Sequence, residues 1–496
     1  MKFLLYASIN GSSIGDQLGA ADYSYYFLLR AFAVVLQKLG DVIELGDASQ
    51  ADAIHDQCVT KGEECVLLSF APPHKTPLGL ECPVVPLFAW EYPNIPEHIE
   101  EKSWHSDPRN DWRVVLGATG RAICLSTHTA EAVRRSMGRG YPITAIPAPI
   151  PASLTRPRAH HSLPHDAPTL LRLNASIVDS LRVALDPNGV VHAETIDEAP
   201  FHPSDHDVLP EFEHARHAKP HRAEDDHADA AEGFLEGTPY SAPLPCGWEI
   251  PPSIPIQITL RGMVYTSVLT PQAGRKNWED LITAFCWTFR DNEDATLILK
   301  LAGRDLSHNH LQLLMMLTKL SPFKCRVIAI YGYLSDEEYA SLAAATTYYV
   351  NTSLCEGLCL PLVEFLNWGT PAIAPNNTAM ADYINQDIAF VVKSYPGLPT
   401  VWPHGDHQIN RTSYNQLDWG ALVEAFEQSY DVAHRDVARY RDMSARAHQA
   451  MQAYCGNEVI EEALRTFFHR ELAIERNRRT VSPSTRPLHL VELDSR

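Results

Sequence analysis

Short apolar runs alternate with amphipathic stretches along this chain, and the alternation occurs twice. In the first 150 residues the runs Phe3–Ile9, Val66–Phe70, Val84–Trp90, Ala122–Leu125 and Ile143–Ile146 have the length of buried strands. A helix is predicted from about Ala20 to Leu39, and Ser126 stands where a helix cap would start the next one. The second series runs Met263–Leu269, Thr296–Leu301, Val327–Tyr331, Thr347–Asn351 and Ala372–Ala374, with helical stretches between. Two βα series predict an α/β protein of two Rossmann-like domains, residues 1–150 and 259–414, facing each other across a cleft. Apolar spacing at Trp419, Leu422, Phe426, Tyr430, Ala433 and Val437 predicts helices over 415–475. The polar, proline-bearing stretch 476–496 reads as a disordered tail.

Residues 151–258 break the rhythm. They are rich in Pro, His, Asp and Glu, and Lys219–His227 has no apolar period at all. Such a segment is too long for an ordinary connection and reads as a polar insertion. Leu170–Val178 and Gly189–Ala193 would form a small hairpin inside it, with 160–245 otherwise a mobile loop that neither domain needs in order to fold. His217 and His221 are its one suggestive pair for a metal, and Pro220 between them removes a shared helix face. A lid or acceptor-recognition arm is the favoured role.

Composition narrows the class. With 496 residues, 45% hydrophobic and 21% charged, the chain is globular and too long for one core. A formal charge of −20 argues against coating nucleic acid or clinging to anionic lipid. No apolar run is long enough to span a bilayer, and the first apolar run is too short for a signal-peptide core. Cysteines such as Cys65, Cys124 and Cys286 sit in apolar segments and read as reduced core thiols, which predicts a cytoplasmic protein.

The chemistry concentrates at 351–371. Pro361 suits a first helical position. The amides of Gly357, Leu358, Cys359 and Leu360 would then point outward at a helix start, which attracts phosphate. Glu356 lies on the loop and Glu364 is expected in the first turn. Carboxylates beside a diphosphate would repel it, so they are read as gripping hydroxyls. A diphosphate flanked by two polyols describes a nucleotide sugar. Upstream, Arg275 and Lys276 put two cations at another helix start, a cost that makes sense beside an anion. No D-x-D motif follows a strand end, and Cys355 and Cys359 lack a second ligand pair, so no metal is expected. Gly11, Gly15 and Gly19 miss the dinucleotide-binding spacing, although Gly15 could let a substrate approach the backbone. On the loop after the Val84–Trp90 run, the Trp90-Glu91 pair suits sugar recognition by stacking and hydroxyl binding.

These segments together resemble the E-x7-E signature of retaining nucleotide-sugar glycosyltransferases with the GT-B fold, glycosyltransferase family 4 and its relatives. The resemblance continues through Tyr331–Tyr339, Gly369–Ala374 and Gly274–Trp278, covering most of residues 260–390. It implies that Lys276 and Arg275 hold the donor diphosphate, although the family pair is usually further apart and Pro271 occupies the more separated position. It implies that Glu356 holds the donor sugar, Glu364 the ribose, and Gly332 and Tyr333 the base. Asp382 stands where the family often has a later carboxylate. Glu91 stands where many members carry a histidine, on the acceptor side. The implied activity is transfer from a nucleotide-diphosphate sugar, a co-substrate rather than a cofactor, to a glycan or lipid-linked glycan near a membrane surface. Rival readings are a nucleotide-sugar epimerase and a non-catalytic sugar-binding protein.

Overall fold

The computed structural model describes residues 1–9, 23–97, 107–150, 168–183, 185, 249–303, 305–397 and 412–481. Gly15, Gly189–Ala193, most of the polar insertion and 482–496 lie outside them.

The first series builds a six-stranded parallel sheet in the order β2-β1-β3-β4-β5-β6. Its strands are β1 (Lys2–Tyr6), β2 (Asp41–Glu44), β3 (Cys65–Phe70), β4 (Val84–Phe88), β5 (Ala122–Cys124) and β6 (Ile143–Ala145). Helices α1 (Tyr23–Leu36), α2 (Gln50–Lys61), α3 (Trp112–Thr119) and α4 (Thr127–Met137) connect them. Every residue of β3 is buried, as a central strand covered on both faces requires. Ser126 caps α4 as expected, its hydroxyl accepting from the Thr129 amide.

The second sheet has eight strands in the order β14-β13-β12-β9-β10-β11-β7-β8. They are β7 (Thr169–Asp179), β8 (Ile254–Leu260), β9 (Met263–Leu269), β10 (Ala295–Leu301), β11 (Arg326–Tyr331), β12 (Tyr348–Val350), β13 (Ala372–Ala374) and β14 (Ala389–Val391). Helices α5 (Trp278–Thr288), α6 (Ser307–Leu320), α7 (Asp336–Ala345) and α8 (Leu360–Asn367) interleave with them. The strands from β14 to β11 are parallel. Strand β7 is antiparallel to β11, and β8 to β7. These two strands correct the reading of 151–258 as an insertion outside both sheets. A strand near 170–178 is there, but its partner is β8, because local periodicity cannot reveal a partner so distant in sequence. Alternate burial of Leu171, Leu173 and Ala175 against Ile258 and Leu260 ties the ribbon to the second domain.

After a two-stranded ribbon of β15 (Ser394–Gly397) and β16 (Tyr414–Leu417), three helices follow: α9 (Trp419–Arg435), α10 (Val437–Cys455) and α11 (Asn457–Val481). Helix α9 closes the second core, where Phe426 meets Tyr265 at 5.3 Å and Phe285 at 5.6 Å between ring centroids. Helix α11 returns to the first domain. Its buried stripe Ile460, Leu464, Phe467 and Phe468 follows helical spacing. Phe468 reaches Phe3 of β1 at 5.0 Å between centroids. One apolar cluster therefore includes Phe3 and Phe88 of the first sheet, Phe365 of α8 and Phe467 of α11. That shared core holds the carboxyl ends of β4 and β5 against those of β9 and β12, the edges where open α/β sheets carry their sites.

Candidate active site

The loop from Asn351 to Cys359 is held from both sides. Leu354 N–H donates to the Arg275 carbonyl at 2.7 Å. The Thr352 hydroxyl donates to the Lys276 and Asn277 carbonyls at 3.1 and 3.0 Å. Glu356 N–H donates to Thr378 Oγ1 at 3.0 Å, and Ala379 N–H returns to the Glu356 carbonyl at 3.2 Å. Among the described residues, the non-glycine residues with positive φ are Asn277 (50°), Cys359 (67°) and Thr378 (48°), all bordering this loop. Backbone held in that region marks sites whose geometry is over-determined by their surroundings.

Helix α8 begins one residue earlier than the sequence suggested. Leu360 is its first residue and Pro361 its second, after Cys359 as cap. The first helical bond runs from Val363 N–H to the Cys359 carbonyl at 3.2 Å. The amides of Leu358, Cys359 and Leu360 precede it and have no intrahelical partner, as expected. Glu364 therefore falls in the second turn, not the first. Its setting is tertiary: Tyr339 of α7 donates a hydroxyl to Glu364 Oε2 at 2.8 Å. Burial pushes the Glu364 carboxyl up to about 7, against the lowering effect of that bond.

Glu356, Arg275, Lys276 and Glu91 form one chain of alternating charge. Arg275 Nη2 lies 2.6 Å from Glu91 Oε1, and Nη1 lies 3.0 Å from Glu356 Oε2. Lys276 Nζ bonds the other Glu356 oxygen. Burial alone would raise the Glu356 carboxyl, but Lys276 and Arg275 overcome it and hold it down at about 2. The Arg275 guanidinium loses solvation by burial, yet Glu91 and Glu356 keep it firmly protonated. The four residues come from both domains: Glu91 follows β4, the two cations follow β9, and Glu356 follows β12.

Other expectations are revised. Trp90 is not a stacking platform. It is 3% exposed, packs against Tyr92 and Trp112 at 5.4 and 4.6 Å, and donates its indole N–H to the Asn94 carbonyl. Gly357 needs to be glycine because a Cβ there would come 2.8 Å from the Ala89 Cβ and 2.9 Å from the Trp90 nitrogen. Gly332 is required by its φ of +96°, and no atom crowds its missing Cβ. Tyr333 beside it is 42% exposed. Asp382 faces the first domain, accepting the Thr127 N–H at 2.8 Å and the Thr127 hydroxyl.

Sequence reasoning missed two residues that set the Glu91 loop. Thr129 clamps Trp90, donating to its carbonyl at 2.9 Å and accepting its N–H at 3.2 Å. His128 Nε2 lies 3.0 Å from the Glu91 carbonyl. Burial lowers the His128 imidazole below its ordinary value, and because a carbonyl can only accept, Nε2 donates this bond. The signal for them in the sequence is the polar Ser126–Thr129 run directly after a strand end, a run that also carries the helix start. Among the described residues no group of three or more His, Cys, Asp or Glu side chains is arranged to hold a metal ion. The nine described cysteines are all free and buried.

A six-stranded parallel sheet and an eight-stranded mixed sheet, joined by helices that cross back to the first domain, form an architecture also found in solved structures. Sucrose-phosphate synthase from Thermosynechococcus elongatus matches over 96% of this chain and 100% of its own, with a TM-score of 0.51 and 13% identity. The chain has the GT-B fold. A glycosyltransferase from Rickettsia africae matches over 94% and 97% of the two chains at TM-score 0.46 and 9% identity. Anabaena HepE, solved with UDP and glucose, matches over 95% and 100% at TM-score 0.44 and 11% identity. No family model and no curated protein sequence matches this chain. The Glu91–Arg275–Glu356–Lys276 chain lies where the carboxyl ends of the two sheets meet.

Proposed function

We propose that this protein transfers a sugar from a nucleotide-diphosphate sugar to a glycan or lipid-linked glycan acceptor, with retention at the anomeric carbon and without a metal ion. The observation that carries the reading is the four-residue charge chain that joins the two domains, with Glu356 on the loop that leads into helix α8. Breaking the bond between the anomeric carbon and the diphosphate leaves negative charge on the departing oxygen. Lys276, Arg275 and the α8 amides would stabilise that charge without reorganising. Glu356, ionised at any working pH, would accept hydroxyls of the donor sugar. Glu364, with Tyr339 behind it, would hold the ribose hydroxyls. Tyr333, exposed beside the Gly332 turn, would face the base. Glu91, presented by the first domain, would orient the attacking acceptor hydroxyl once the donor phosphates draw Arg275 away from it.

The E-x7-E resemblance supports retention, and the two cations support metal independence. The described residues include no helix long and apolar enough to cross a membrane, which fits an enzyme acting on a membrane-bound acceptor only from the surface. Cell-surface polysaccharide synthesis in the cytoplasm is the corresponding role. A thermal-shift screen of the wild-type chain against UDP-, GDP-, ADP-, CDP- and dTDP-sugars tests the donor reading, because a ligand bound only to the folded state raises its stability. One of these donors should raise the melting temperature and lose that effect in Lys276→Ala. No response to any of them would overturn the proposal.

A further inference from the structure

The charges of the donor site cancel before a donor arrives. Arg275 and Lys276 are matched by Glu91 and Glu356 at ion-pair distance. A nucleoside diphosphate adds negative charge at both phosphates, so the site needs a cation that is not already neutralised.

Among the described residues, Lys300 is the most deeply buried lysine or arginine, at 6% exposure. Its environment supplies burial alone, with no described carboxylate to offset it, and its ammonium is pushed down to about 8. It is therefore still mostly protonated at neutral pH. Lys300 is the penultimate residue of β10, aligned with Val268 of β9 and Ile330 of β11. Leu299 and Leu301 enter the core beneath α5 and α6. Alternation along the strand puts Lys300 on the other face, with Ile298 and Ile330. Strand β9 runs on to Arg275 and Lys276, and β11 runs on to Gly332 and Tyr333. Lys300 thus starts from the carboxyl rim of the sheet, between the diphosphate cations and the turn assigned to the base. An apolar side chain of similar length would fill the same space without the desolvation cost.

We propose that Lys300 is a third cation of the donor site and contacts the α-phosphate of the nucleotide, at the end of the diphosphate away from Lys276. The inference rests on the donor reading above and adds a binding residue to it.

The test is calorimetric binding of UDP, GDP, ADP, CDP and dTDP to the full chain, wild type against Lys300→Met and Lys300→Arg, together with melting temperatures. Lys300→Met should melt higher than wild type without ligand. It should bind the preferred diphosphate about tenfold or more weakly, the worth of one charge-assisted hydrogen bond. Its affinity for the matching nucleoside, which lacks phosphate, should be unchanged. Between pH 8 and pH 9, above the range in which Glu364 titrates, diphosphate affinity should fall in the wild type, while in Lys300→Arg it should stay level. Equal diphosphate affinity in wild type and Lys300→Met overturns the inference, as does an equal loss for nucleoside and diphosphate. If Lys300→Met does not fold, the two pH curves decide, and parallel curves overturn it. Failure of the wild type to bind any of the diphosphates overturns the donor reading itself, a result visible without any variant.

Discussion

Glu356 and Glu364 are eight positions apart in one loop-and-helix unit, and their surroundings drive them in opposite directions. Both are desolvated, which by itself favours the neutral acid. Around Glu356 two cations reverse that effect and hold the carboxyl at about 2. Around Glu364 the only described support is the Tyr339 hydroxyl, and the carboxyl rises to about 7. Identical side chains are thus given different charge states by their partners: one carboxylate that is permanently ionised, and one carboxyl that changes state near neutrality.

The largest expected effect comes from removing the charge of Glu356. Glu356→Gln should lower kcat by about 10²–10³ if Glu356 acts on the reacting sugar. It also leaves Arg275 and Lys276 short of a buried partner, and breaking such a pair costs about 3 kcal/mol or more. Steady-state kinetics and a urea melt read the two effects separately. Normal turnover in a folded Glu356→Gln protein would remove this residue from the reaction. The sign of its pH effect follows from a folded value below the ordinary 4.5: its stabilisation is complete above pH 4.5 and is lost as pH falls toward 2.

Glu364→Gln should act on binding rather than turnover, weakening the nucleotide sugar by about tenfold. If Glu364 holds the ribose, donor affinity in the wild type should rise as pH climbs through 7, where the carboxyl ionises and can accept both hydroxyls. Glu364→Gln should abolish that rise. Stability runs the other way. Between pH 4.5 and 7 the folded chain keeps a proton that the unfolded chain has released, so this group's contribution falls as pH increases. A flat affinity profile in the wild type would count against the ribose assignment.

A smaller change sharpens the contrast. Tyr339→Phe removes the one hydrogen bond that lowers the Glu364 carboxyl, so the midpoint of donor affinity should move above 7 with little loss of affinity at higher pH. An unmoved midpoint would assign the titration to another group. The smallest expected effect is that of a chelator: if the cations and helix amides cover the diphosphate as proposed, EDTA should leave turnover unchanged. Loss of activity in EDTA, restored by magnesium or manganese, would show that those cations are insufficient.

Much of the architecture was legible in the sequence because it follows from local pattern. The apolar runs Met263–Leu269 and Ala372–Ala374 are strands β9 and β13 with those bounds, and Ser126 caps its helix. Most strands of both parallel series, and a helix start within one residue of Pro361, could be anticipated from apolar periodicity, proline and cap residues, all short-range signals. The pairing of β7 with β8 could not, since their partners are separated by a long stretch with no pattern of its own. Chemistry divided in the same way. Residue type, spacing and the E-x7-E resemblance singled out Glu356, Glu364, Arg275, Lys276 and Glu91 as candidates. Only the tertiary structure decided that Arg275 faces two carboxylates, that Trp90 is walled in by Tyr92 and Trp112, and that the two glutamates differ in charge state. A sequence specifies which groups are present and which face of a strand or helix they occupy. What a group does depends on its desolvation and on charges brought close from distant segments, and those distances exist only once the two domains have packed together.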